Sequence, residues 1–314
     1  MKTNLFSLVC RYYLMVLSFL CLVTSNGFAG AAGAEAKLGV LIIHGVGSQK
    51  EDFAAPVIEE LKGRIADQAK IQWQTVYWDP ILAGQENDLL GELFPEGENL
   101  DWFKLRTLVM NYVGDVAAYR YIPNISDPSK KTNEKYDEIH DIVHESIVEL
   151  RKKLGSADKP LIVMAHSMGS VIMFDYIRER QQKRDGDPYG KTKFERMETL
   201  VGFITFGSPI PLFTLALDQV PCINFPPDNL QKDLKDKARW LNFYDHDDVF
   251  GWPLEYLIDR CEGRVKSCVI EDKQINVGDV FTFWDPLCHS RYWTDNDFTK
   301  PVAQYISEIL KVCP

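Results

Sequence analysis

The chain has no Cys-x-x-Cys pair among its seven cysteines, so neither a zinc ribbon nor a dithiol redox site is encoded. It also has no excess of positive charge: 35 Lys and Arg face 45 Asp and Glu, for a net charge of −10. Such a surface repels phosphate backbones and anionic headgroups, which argues against nucleic acid as a partner. The phosphate-loop signatures are incomplete. Gly45-Val46-Gly47 follows an apolar run, but the third glycine of a dinucleotide fingerprint would fall at Lys50, and no Gly-Lys-Ser/Thr closes that loop. His140 and His144 are four apart on a helix-patterned stretch, yet no Glu-x-x-His accompanies them and no third ligand is in view. No metal and no cofactor is expected. Internal repeats and low-complexity tracts are absent after the N-terminal segment.

What is present is ordinary globular composition: 314 residues, 46% hydrophobic and 25% charged, enough to bury one large core. Residues 1–36 stand apart. Lys2 and Arg11 precede the apolar stretch Tyr12 to Val23, and a small, uncharged tract runs from Ser25 to Ala34. This is the pattern of a secretory signal, with cleavage expected after Ala29, Ala31 or Ala34; an uncleaved membrane anchor is the alternative. The expected location is therefore outside the cytoplasm, secreted or periplasmic. Of the cysteines beyond residue 36, Cys261 and Cys268 flank a short turn-containing stretch and are candidates to staple it, with the connectivity left open. Cys222, Cys288 and Cys313 offer one further bridge.

Two motifs carry chemistry. Leu161 to Met164 is a buried-strand run leading into Ala165-His166-Ser167-Met168-Gly169 and then a helix-patterned stretch. Small-x-Ser-x-Gly between strand and helix is a nucleophile elbow, which lifts the Ser167 hydroxyl above the sheet edge. The second is Val40 to Ile43 ending in His44-Gly45-Val46-Gly47. A loop of this kind supplies one backbone N–H donor to a developing oxyanion, here that of Val46, and the residue after the serine, Met168, supplies the other.

Further on come Phe206-Gly207-Ser208-Pro209 after the next strand, the acidic turn Asp245-His246-Asp247-Asp248, and Cys288-His289. Taken in order, these segments make the chain, from about Leu38 to Lys311, resemble the α/β-hydrolase superfamily, in particular its lipase and esterase-like branch. The resemblance implies a Ser167 nucleophile, then an acid, then a histidine. Only His246 and His289 lie late enough in the chain, and His289 is the expected base because His246 sits inside the acidic turn. Asp248 is the first choice of acid, Asp245 the second and Asp247 the third. The implied activity is hydrolysis of a small-molecule or lipid ester through an acyl-enzyme. An acyltransferase or a non-catalytic ligand-binding protein on the same scaffold is the alternative.

Alternation of apolar strands with amphipathic helices predicts a reduced α/β-hydrolase fold over residues 37–314, a mostly parallel sheet with helices on both faces. Strands are expected at Leu38 to Ile43, Ile71 to Tyr77, Leu161 to Met164, Leu200 to Phe206, Trp240 to Tyr244 and Val280 to Trp284, with a hairpin-like segment about Arg264 to Val277. Helices are expected at Phe53 to Gln68, Glu134 to Leu154, Met168 to Gln182 and Phe298 to Leu310. A cap-like insertion occupies about residues 80–133. Within it Trp102, Leu105, Val109, Tyr112, Val113 and Val116 recur at helical spacing, either as a lid over the substrate or as a face packed on the sheet. Leu89-Leu90 and Leu93-Phe94 are expected to form a mobile rim. Membrane contact is expected through the N-terminal segment or the lid. Asn124-Ile125-Ser126 is a glycosylation acceptor if the source adds such sugars.

Overall fold

A computed structural model describes residues 35–47, 49–93, 112–119, 133–182, 189–215, 217–261, 270–277 and 286–314. Ala36–Pro314 form one compact unit. The candidate signal up to Ala34, Trp102 to Val109, Asn124-Ile125-Ser126, Cys268 and Val280 to Trp284 lie outside the described residues.

Six strands build the sheet: β1 (Leu38–Ile43), β2 (Ile71–Val76), β3 (Leu161–His166), β4 (Leu200–Phe206), β5 (Arg239–Asp245) and β6 (Ile270–Ile275). They lie in the order β2-β1-β3-β4-β5-β6, and every neighbouring pair is parallel. Every residue of β1, β3 and β4 is buried, as strands covered on both faces must be, and this is why they read as unbroken apolar runs. The edge strands carry polar residues instead: Gln72, Gln74 and Thr75 in β2, and Glu271, Asp272, Lys273 and Gln274 in β6.

Five longer helices cover the sheet: α1 (Ala55–Arg64), α2 (Pro80–Leu93), α3 (Glu134–Lys153), α4 (Met168–Gln181) and α5 (Asn296–Val312). The chain steps from β1 out to β2, then returns past β1 to β3. Right-handed crossovers therefore put α1 on one face and α3 and α4 on the other. Contacts agree: α3 packs on β1 and β2, α4 on β3, and the terminal α5 beside α1. Because the connections leaving β1 and β3 run in opposite directions, a crevice opens at the C-terminal ends of these two strands. The loop His44 to Gly47 and Ser167 both stand there.

Three expectations can be placed on the structure. Of the hairpin-like segment about Arg264 to Val277 only 270–277 is described, and its strand β6 pairs parallel to β5, from Trp240 opposite Ile270 to Asp245 opposite Ile275. Cys261 pairs with Cys222, at a Cα–Cα distance of 5.4 Å, and not with Cys268. A parallel bridge between Val220 and Cys261 brings those segments together, a contact that sequence spacing does not encode. Leu89, Leu90 and Leu93 of the expected rim lie in α2, a helix of 14 residues, and Phe94 lies outside the described residues.

Candidate active site

Ser167 joins β3 to α4 with φ 51° and ψ −129°, a left-handed conformation that costs a non-glycine residue about 1–3 kcal/mol. Its surroundings hold it there. The Ser167 N–H donates to the Phe206 carbonyl at 3.0 Å, while the Ser170 N–H and hydroxyl both donate to the Ser167 carbonyl, at 2.9 and 2.6 Å. Gly45 leaves room for this turn: a Cβ at that position would lie 2.4 Å from the Ser167 Cβ. The loop His44 to Gly47 and the turn at Ser167 also approach closely at Gly169, where a Cβ would lie 2.4 Å from the His44 carbonyl oxygen.

From Ser167 a chain of hydrogen bonds runs across the strand ends. His289 Nε2 lies 2.7 Å from Ser167 Oγ, and His289 Nδ1 lies 2.9 and 3.0 Å from the two Asp248 oxygens. Asp248 accepts further hydrogen bonds from the Phe250 N–H at 3.0 Å and the Tyr292 hydroxyl at 2.8 Å. Burial raises the Asp248 carboxyl, but these partners, His289 foremost, outweigh it and hold the group below its usual value. Asp248 is therefore ionised, and His289 donates from Nδ1 and accepts at Nε2. Gly207, at φ 58°, makes this pairing possible, since a Cβ there would stand 3.0 Å from the His289 ring and 3.1 Å from Asp248.

A strand-turn-helix serine on a parallel sheet, with the acid after β5 and the histidine after β6, decides the architecture. This is an α/β-hydrolase fold. No protein-family model and no curated protein matches the chain. Among solved structures, esterase PE8 shares 11% identity over 88% of this chain and 94% of its own, with a TM-score of 0.38. A soluble variant of monoglyceride lipase from Saccharomyces cerevisiae, in complex with a substrate analog, shares 13% identity over 88% of each chain at the same TM-score of 0.38. At that level of similarity the assignment rests on the chain's own topology and elbow.

The other aspartates of the turn stand apart from His289. Buried Asp245 accepts from the N–H groups of Asp247, at 2.7 Å, and Val277, at 2.5 Å, so it shapes the turn and ties it to the end of β6. Asp247 is half-buried, and His246 is exposed beside Tyr244. His140 and His144 are also placed elsewhere: His140 lies between Tyr119 and Glu179, and His144 meets Tyr176. Among the described residues no cluster of three metal-ligating side chains occurs.

The loop His44 to Gly47 is locked by groups that the sequence motif did not reveal. The His44 ring stacks on Trp78 with 5.1 Å between centroids, and its Nε2 accepts the Trp78 N–H at 3.2 Å. Its Nδ1 donates to the Gly45 carbonyl at 2.7 Å. Because a trans peptide sets C=O and N–H in opposite directions, fixing the Gly45 carbonyl also fixes the Val46 N–H. Met168 opens α4, so its N–H has no carbonyl acceptor within the helix. Residues 112–119 are helical and lie over the loop, where buried Asp115 accepts the Gly47 N–H at 3.1 Å. Tyr112 of the same segment stacks on Phe250, centroids 4.0 Å apart. Val113 is 58% exposed, so the expected helical stripe does not pack on the sheet as a unit.

His166, the residue before Ser167, supports His289 directly by donating from Nε2 to the His289 carbonyl at 2.8 Å. Burial lowers His166 to about 3 and His44 to about 4, so both are neutral in the folded protein. In the unfolded chain both would take up protons near pH 6.5, so the unfolded state binds more protons below that pH. Stability should therefore be complete at neutral pH and fall as pH drops from about 6.5 towards 4, by up to about 3 kcal/mol per histidine. Unfolding midpoints measured across that window test this. His166→Asn, which keeps a donor, should roughly halve the slope, and an unchanged slope would contradict the assignment.

Along α4, the helix that follows Ser167, runs a cavity of about 830 Å³, bounded by residues 112–119, α4 and the segment after β4. Val171, Phe174, Ile210 and Phe213 give it apolar walls, and Asp175 and Arg178 stand further along α4. Leu212, Leu215 and Leu217, which also border it, are 43%, 74% and 39% exposed, forming an apolar lip.

Proposed function

We propose that the chain is a serine hydrolase of carboxylic esters, with Ser167 as nucleophile, His289 as general base and acid, Asp248 as the orienting carboxylate, and the N–H groups of Val46 and Met168 as oxyanion donors. The observation that carries this reading is the hydrogen-bonded series from Ser167 Oγ through His289 to Asp248. His289 Nε2 takes the hydroxyl proton as Oγ bonds to the ester carbon, and the carbonyl oxygen becomes an oxyanion facing Val46 and Met168. The carbon–oxygen bond to the alcohol then breaks, and His289 returns the proton to the leaving oxygen. Water, deprotonated by the same nitrogen, attacks the acyl-enzyme, and the carboxylic acid departs with Ser167 restored.

The apolar cavity supports an acyl chain as the substrate portion it holds, because it follows α4, the helix that starts directly after Ser167. Val171 and Phe174 line it on the first two turns of that helix. Acid release from esters of graded acyl length tests both ideas. Wild type should hydrolyse medium and long acyl esters, and Val171→Phe should lower kcat/KM for the longer ones at least tenfold, by about 1–3 kcal/mol of lost pocket space, while acetyl ester turnover persists. Hydrolysis at no chain length, with acyl transfer to an added alcohol instead, would favour the transferase reading.

We also propose export from the cytoplasm. The Cys222–Cys261 disulfide supports an oxidising compartment, and the exposed leucines at the cavity lip would suit contact with a lipid surface.

A further inference from the structure

One buried polar group near the nucleophile has no role in the series described above. The Tyr112 hydroxyl is shielded from solvent and has no hydrogen-bond partner. It is directed at Ser167, close enough to influence the phenol's ionisation, without completing a hydrogen bond to it. The ring is held in place by stacking on Phe250 at 4.0 Å, and it meets the His289 ring edge-on with centroids 6.4 Å apart. Burial raises the Tyr112 phenol, against the influence of Ser167 and with the help of the Asp248 charge, so it remains a protonated donor. A buried donor without an acceptor destabilises a folded protein, and a position that keeps one calls for an acceptor supplied by something else. Tyr112 also borders the cavity that follows α4.

We infer that Tyr112 is a further catalytic residue, whose hydroxyl donates a hydrogen bond to the leaving-group oxygen of the ester. This inference rests on the hydrolase reading. Tyr112 meets the ring of His289, the group that returns the proton to the leaving oxygen in the proposed mechanism, and the carbonyl oxygen is assigned there to Val46 and Met168, so the leaving oxygen is the one left for Tyr112. As the carbon–oxygen bond breaks, negative charge grows on the leaving oxygen. The Tyr112 hydrogen bond strengthens while His289 delivers the proton, and Tyr112 keeps its own proton throughout.

The test compares Tyr112→Phe with wild type in the full chain, on the ethyl and p-nitrophenyl esters of one carboxylic acid. An alkoxide needs help to leave and a nitrophenoxide does not. The kcat/KM for the ethyl ester should fall about 10- to 100-fold, the range expected for a lost transition-state donor, with the nitrophenyl ester nearly unaffected. The unfolding midpoint should stay level or rise, because the removed hydroxyl had no partner to lose. An equal loss on both esters, no loss on either, or a lowered midpoint accompanying the loss would overturn the inference. If Ser167→Ala were as active as wild type on both esters, the hydrolase reading itself would fail, and the role of Tyr112 with it.

Discussion

Ser167→Ala is expected to lower ester turnover by about four to six orders of magnitude while the protein stays folded. Nucleophile, base and acid act as a unit, so removing Oγ leaves only the contribution of the oxyanion donors and of substrate binding. The fold should tolerate the change. Ser167 is held by its backbone, through the Phe206 carbonyl on one side and Ser170 on the other, and not by its side chain. Alanine occupies less space in a turn that Gly45 already crowds. Steady-state kinetics together with a thermal melt check this, and a folded Ser167→Ala protein with wild-type turnover would remove the proposed mechanism.

Asp248→Asn should cost about four orders of magnitude in kcat. An amide there presents an N–H to His289 Nδ1, which favours the tautomer with the proton on Nε2, and that nitrogen then cannot accept the Ser167 hydroxyl proton. Asp245→Asn is the informative contrast. Asp245 accepts two backbone N–H groups and does not touch His289, so its amide should lower stability by about 1–3 kcal/mol and leave the rate per folded molecule nearly intact. Kinetics of both variants, corrected for the folded fraction, separate the two roles. A larger rate loss in Asp245→Asn would move the acid three positions along the turn.

The parts of this site legible in the sequence are those written in local pattern. β1 and β3 announce themselves as unbroken apolar runs because both faces of each are covered, and the serine follows the second run within a compact small-x-Ser-x-Gly motif. Chain order left His246 and His289, and the acidic turn around His246 favoured His289. The acid was less legible, since Asp245, Asp247 and Asp248 share one turn and only its three-dimensional course decides which carboxylate meets His289. The supporting residues were hidden for a different reason. Tyr112, Asp115, His166 and Tyr292 act through contacts between segments far apart in the chain, and each looked like an ordinary helix, elbow or loop residue.

Mass spectrometry of the protein after treatment with a fluorophosphonate tests the central claim most directly. Ser167 Oγ, activated by His289, should displace fluoride and form one phosphorus–oxygen bond, giving a single adduct whose site is read by peptide mapping. The account predicts stoichiometric labelling at Ser167 in wild type, none in Ser167→Ala, and greatly slowed labelling in His289→Ala. An unlabelled wild-type protein, or an adduct on another residue that persists in Ser167→Ala, would contradict it.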